Sequence, residues 1–172
     1  MSAVASETTI VKPISVESVP WDAWSDGRRF GSRVRHLTKA AGVADRHVGF
    51  LIEELGPGQQ SCPAHYHMVE EEHVYMLSGA VTLRLGDERH VLKPGDYVCF
   101  PAGQTAGHCL LNEGDEACAY IVVGESDPHD VCVYPDSNKV WVRAANEIYD
   151  KAATKEYYDG EQKDVPLNAQ KP

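Results

Sequence analysis

The sequence predicts an all-β domain, a sandwich or a barrel. Three observations carry this. Short runs rich in Val, Leu, Ile, Tyr and Phe recur from residue 33 onwards, turns containing Gly, Pro, Asp and Asn separate them, and no long amphipathic helical pattern competes. In chain order the runs are 33–38, 46–55, 62–67, 72–77, 81–85, 89–93, 96–100, 107–111 and 117–123. Gly56-Pro57-Gly58, Ser78-Gly79, Gly86-Asp87, Lys93-Pro94-Gly95-Asp96 and Asn112-Glu113-Gly114-Asp115 mark the turns. Two more runs, 131–134 and 139–142, read as edge strands able to pair with a second subunit.

The expected organisation is an N-terminal arm over 1–30, a β-barrel domain over 31–145 and a polar C-terminal tail over 146–172. The first twelve residues are polar and aperiodic. Trp21 and Trp24 precede the strands and are expected to cover an open end of the core or a subunit contact. With Tyr134 and Trp141 they are the aromatic residues that point to a homodimer.

At 172 residues the chain is long enough to bury a core without disulfide or metal staples. Its formal charge of -10 argues against nucleic acid or an anionic membrane surface as the main partner, because neither is attracted to a broadly acidic surface. The five cysteines, Cys62, Cys99, Cys109, Cys118 and Cys132, are odd in number and form no Cys-x-x-Cys pair, which reads as reduced thiols in a cytoplasmic protein. Neither a signal peptide nor a stretch approaching the ~20 apolar residues of a membrane span is visible.

The chemistry is concentrated between Cys62 and Asn112. In a strand, His65 and His67 share a face while Tyr66 points away, so two imidazoles can grip one ion. Glu72 follows after four residues, room for a turn that brings a carboxylate back. His108 supplies a fourth candidate ligand. Glu70 and Glu71 compete with Glu72 for the carboxylate position, but Glu72 alone has six residues before Gly79. His73, His90 and His129 fit no ligand spacing.

These residues resemble the two motifs of the cupin superfamily. The first motif runs Gly, His-x-His, three or four residues, Glu, six residues, Gly. His65, His67, Glu72 and Gly79 fit it, and Gly58 lies one residue further upstream. The second runs Gly, five residues, Pro-x-Gly, two residues, His, three residues, Asn. Gly95, Pro101, Gly103, His108 and Asn112 fit, but His108 comes two residues late after Gly103, which suggests a longer turn before its strand. The run from Asp127 to Ser137 is similar to the tail of small bacterial single-domain cupins, some of them labelled as candidate sugar-phosphate isomerases.

The resemblance implies a jelly-roll barrel with a small-ligand pocket at its mouth. It also implies one divalent transition metal, Mn, Fe, Ni or Zn, held by His65, His67, Glu72 and His108. Four protein ligands on an octahedral ion leave positions for substrate, with Glu72 or an unliganded base moving a proton. Strand alternation places Val74 and Met76 with Glu72, and Leu110 with His108, as pocket floor. Gln104 and Thr105 are expected at the entrance, Cys62 as a core thiol beside the site, and Arg46 or Arg84 as the cation that a phosphorylated substrate would need. Three functions are compatible: a metal-dependent isomerase, epimerase or lyase on a sugar, sugar phosphate or keto acid; an iron-dependent dioxygenase; or a non-catalytic binding protein.

Overall fold

A computed structural model of the protein describes residues 11–43, 47–161 and 163–164. Thirteen strands are described: β1 (Asp22–Asp26), β2 (Phe30–His36), β3 (Val48–Leu55), β4 (Tyr66–His67), β5 (Glu72–Ser78), β6 (Val81–Leu85), β7 (Glu88–Leu92), β8 (Tyr97–Phe100), β9 (His108–Leu111), β10 (Cys118–Glu125), β11 (Val131–Tyr134), β12 (Lys139–Val142) and β13 (Glu147–Asp150). The helices are one short α-helix, Leu37–Ala40, and four single 3₁₀ turns. Among the described residues no helix is long and apolar enough to cross a membrane.

The strands form a six-stranded sheet in the order β1-β2-β3-β10-β5-β8, a four-stranded sheet β13-β12-β11-β4 and a three-stranded sheet β7-β6-β9. Every strand pairing in them is antiparallel. Alternation is visible on β5, where Val74 and Met76 are buried while Tyr75 and Leu77 face outwards. The enclosed core consists of Leu55, Val74, Met76, Val81, Leu83, Phe100, Leu110, Cys118 and Tyr120. Burial of each large aliphatic side chain there contributes about 1.5–3 kcal/mol.

The turn after β5 needs Gly79. Its φ is +68°, and a Cβ there would lie 2.7 Å from the Ala117 carbonyl oxygen and 2.8 Å from Cys118 Cα. Glycine alone permits both the left-handed backbone and this approach to β10.

The structure corrects several boundaries. The expected arm over 1–30 contains β1, which pairs with β2 along its whole length. The expected tail over 146–172 contains β13, which pairs with β12. All residues of both strands are exposed, so neither shows the apolar alternation by which a strand is recognised. The expected strand over 62–67 is reduced to Tyr66–His67, because Pro63 sits in a bent segment and has no N–H for a ladder. The arm's first ten residues, Arg46 and the last eight residues lie outside the described part.

The aromatic residues are also less free than expected. Trp21 lies under the guanidinium groups of Arg33 and Arg35, 4.7 and 4.5 Å from its ring. Trp141 carries Arg143 at 5.4 Å, and Tyr134 is half-buried near His65. Trp24 is exposed, with its indole N–H donating to Ser32 Oγ at 2.9 Å.

Candidate metal centre

Three strands and the segment before β4 bring the expected ligands together. His65 precedes β4 and forms an antiparallel bridge with His108, each backbone N–H donating to the other's carbonyl at 3.1 and 2.8 Å. His67 ends β4, Glu72 begins β5 and His108 begins β9. The imidazole rings of His65 and His67 lie 5.0 Å apart, and those of His65 and His108 4.7 Å apart.

Glu72 Oε2 is 3.3 Å from His108 Nε2 and 3.8 Å from His67 Nε2. One ligand atom each from His65, Glu72 and His108 lies within 4.8 Å of the others. The longer turn ahead of β9 is accommodated as the sequence suggests. Gly103 N donates to the His67 carbonyl at 2.8 Å, tying that turn to β4, and His108 arrives opposite His65.

The far side of each ring is fixed. His65 Nδ1 lies 3.0 Å from the Pro63 carbonyl, which can only accept, so that nitrogen carries the proton and Nε2 is left as a lone-pair donor. His67 Nδ1 donates to Asp130 Oδ2 at 2.7 Å, which orients its Nε2 in the same way. Phe100 stacks flat on His108, with ring centroids 3.7 Å apart at 3°.

The electrostatics match a cation site. Burial and the neighbouring His108 bring the His65 imidazole down to about 4, so it is neutral and able to coordinate at pH 7. Burial alone would raise the Glu72 carboxyl, but its hydrogen bond with His108 and the nearby imidazoles hold it below its ordinary value, hence ionised. Three imidazoles and one carboxylate suit a divalent first-row transition metal.

Two cavities abut at Glu72. An inner one of about 210 Å³ is lined by Glu53, Cys62, His65, Val74, Leu110 and Tyr120 among others. An outer one of about 430 Å³ opens past His67, Glu70, Glu71, Glu125 and Arg143. Leu51, Glu72 and Val122 border both. Gly49 and Gly124, which line the outer cavity, bring no side chain beside Glu72 and so leave its approach open.

Val74, Leu110 and Cys62 therefore lie where alternation and spacing put them. Burial pushes the Cys62 thiol up, as befits a core thiol. Three expectations are corrected. Met76 is four residues below Glu72 and belongs to the core, not to either cavity wall. Gln104 and Thr105 stay in the turn before β9 and line neither cavity. Arg84 points away to Asp136, which accepts two hydrogen bonds from it at 2.7 and 2.6 Å.

Two features were not read from the sequence. Both carboxylate oxygens of Glu70 accept from Arg143, and Glu70 lies with His67 and Asp130 on the other side of the His67 ring, not with His65 and His108. Asp130, fully buried, accepts hydrogen bonds from the Val69 N–H and from His67. His73, expected outside any ligand set, lies with Glu71 and Cys99 in a separate cluster whose ligand atoms are also within 4.8 Å of one another.

The fold is an antiparallel β-barrel that brings His65, Glu72 and His108, a group that could hold a metal ion, beside a cavity, with His67 adjoining through Glu72. The cupin-domain family profile matches residues 51–124, and the chain belongs to the cupin family. It is 32% identical over 99 residues to protein SchB of Streptomyces halstedii, covering 56% of this chain and 68% of that one. A candidate sugar phosphate isomerase of Acidithiobacillus ferrooxidans superimposes with a TM-score of 0.69 at 34% identity, over 73% of this chain and 80% of that one. A cupin-superfamily sugar phosphate isomerase of Silicibacter pomeroyi gives 0.72 at 25% identity, over 86% and 98%.

Proposed function

We propose that the protein is a metal-dependent enzyme of the isomerase, epimerase or lyase type, acting on a small oxygenated substrate. The observation that carries this is the meeting of Glu72 Oε2 with the Nε2 atoms of His108 and His67 beside two connected cavities. A divalent metal held by His65, His67, Glu72 and His108 supplies a Lewis acid that polarises a carbonyl or lowers the pKa of a hydroxyl.

The chain's own residues supply the rest. Asp130 and the Pro63 carbonyl hold the two imidazoles in one tautomer, and Phe100 keeps the ring of His108 in plane. Val74, Leu110 and Val122 exclude water from the inner cavity. Glu72 is the carboxylate at the boundary of both cavities, placed to hold or move a proton on a substrate oxygen. The names of the two solved relatives, at 34% and 25% identity, support the isomerase type.

We place the protein in the cytoplasm as a homodimer. Five free thiols support the first, and exposed Ile148 and Tyr149 on the edge strand β13 support the second.

The test is elemental analysis of protein purified without chelators, wild type beside His65→Ala and Glu72→Ala, followed by an aldose–ketose isomerisation panel. About one transition metal per chain, lost in both variants, is expected. A wild type that takes up no metal after reconstitution overturns the reading.

A further inference from the structure

The inner cavity carries a second polar feature that the metal ligands do not use. Along β5, Glu72, Val74 and Met76 follow one another on the inward face, and their partners on β10 are Gly124, Val122 and Tyr120. On β3 the corresponding residues are Gly49, Leu51 and Glu53. Glu53 and Tyr120 are therefore direct neighbours across two strands, two rows deeper than Glu72, and both line the inner cavity.

Tyr120 is 0% exposed, and its hydroxyl has no hydrogen-bond partner among the described residues. An unpaired buried hydroxyl is destabilising, whereas phenylalanine would fill the same core position without that cost. Core packing does not account for the hydroxyl. Burial lifts the Glu53 carboxyl above its ordinary value, with the hydroxyls of Ser32 and Tyr120 working against it. Glu53 thus lies close enough to Tyr120 to feel it, although the two do not meet in hydrogen-bond geometry. A phenol O–H beside a carboxyl group, both on the cavity wall, is a pair of polar groups suited to a hydroxyl or carbonyl oxygen. No Arg or Lys is among the described residues lining this cavity, and Glu72 adds a negative charge to it.

We propose that Glu53 and Tyr120 form a second substrate-binding pole, which grips an uncharged carbonyl or hydroxyl oxygen at the inner end of the cavity while the rest of the substrate reaches towards the His-Glu set. This rests on the reading of the cavity as a site for a small oxygenated substrate and narrows it. The group bound deepest is uncharged, as in a polyol or hydroxyketone, and any phosphate stays outside the inner cavity.

The test is titration of zinc-loaded and metal-free protein with dihydroxyacetone and, separately, with dihydroxyacetone phosphate. The signals of ¹³C-labelled Glu53 carboxyl and Tyr120 Cζ, assigned with Glu53→Gln and Tyr120→Phe, are followed by NMR. Both signals should move saturably with dihydroxyacetone, with a dissociation constant on the order of 1 mM. Each variant should weaken binding roughly fivefold or more while keeping the wild-type metal content, and Tyr120→Phe should melt no lower than the wild type.

Unmoved signals, or binding unchanged in both variants, overturn the proposal. So does a loss of stability in Tyr120→Phe without a loss of binding, or a phosphate that binds more tightly through these two residues. Protein that takes up no zinc while both signals still respond overturns the metal reading and leaves the pole standing.

Discussion

Asp130 Oδ2 accepts a hydrogen bond from His67 Nδ1 at 2.7 Å, joining residues 63 apart in sequence. The carboxylate is fully buried, and the hydrogen bonds from His67 and the Val69 and Glu70 N–H groups hold it below its ordinary value against the effect of burial. It fixes which nitrogen of His67 faces the site. Asp130→Asn is expected to weaken metal affinity roughly 10- to 100-fold with the fold intact. Competition with a calibrated chelator measures this, and an unchanged affinity refutes the positioning role.

A pH effect follows from His65. Burial and the neighbouring His108 bring its imidazole from the ordinary 6.5 down to about 4 in the folded metal-free chain, so between these values the unfolded chain binds a proton that the folded chain does not. Stability of the metal-free protein should therefore fall as pH drops from about 6.5 to about 4. The lowered Glu72 carboxyl acts in the same direction as pH falls through its folded value. Urea midpoints across this range check the slope, which His65→Leu should flatten.

The Glu70–Arg143 pair joins the start of β5 to the end of β12. The Glu70 side chain is 6% exposed, so Arg143→Ala leaves a buried carboxylate without its cation. A loss of about 3 kcal/mol in unfolding free energy is expected. The double variant Glu70→Met, Arg143→Met should recover much of it, and denaturant unfolding of the three proteins provides the comparison.

Gly79→Ala should cost at least about 2 kcal/mol, because it adds left-handed strain to a Cβ that would meet the β10 backbone at 2.7 Å. Thermal unfolding reads this directly. A neutral result would mean that the turn relaxes away from Ala117.

Much of this was legible in local pattern. The strands at 131–134 and 139–142 fall at the expected residues, although both are interior to their sheet, between β4 and β13, and not the expected edge strands. His65, Glu72 and His108 lie together, with His67 beside Glu72. β1 and β13 were illegible because both lie at sheet edges with every residue exposed, so hydrophobic periodicity had nothing to report. Asp130, Arg143 and Glu53 were illegible for another reason. Each acts through a partner distant in sequence, and register between strands is not written in either strand alone.

β4 owes its pairing to β11, and the same C-terminal segment supplies Asp130 and Arg143. During synthesis, both ligand motifs leave the ribosome before the residues that aim His67 and neutralise Glu70. The completed centre thus awaits residues 130–143, and a chain ended before them would carry every candidate ligand without the groups that aim His67 and pair with Glu70.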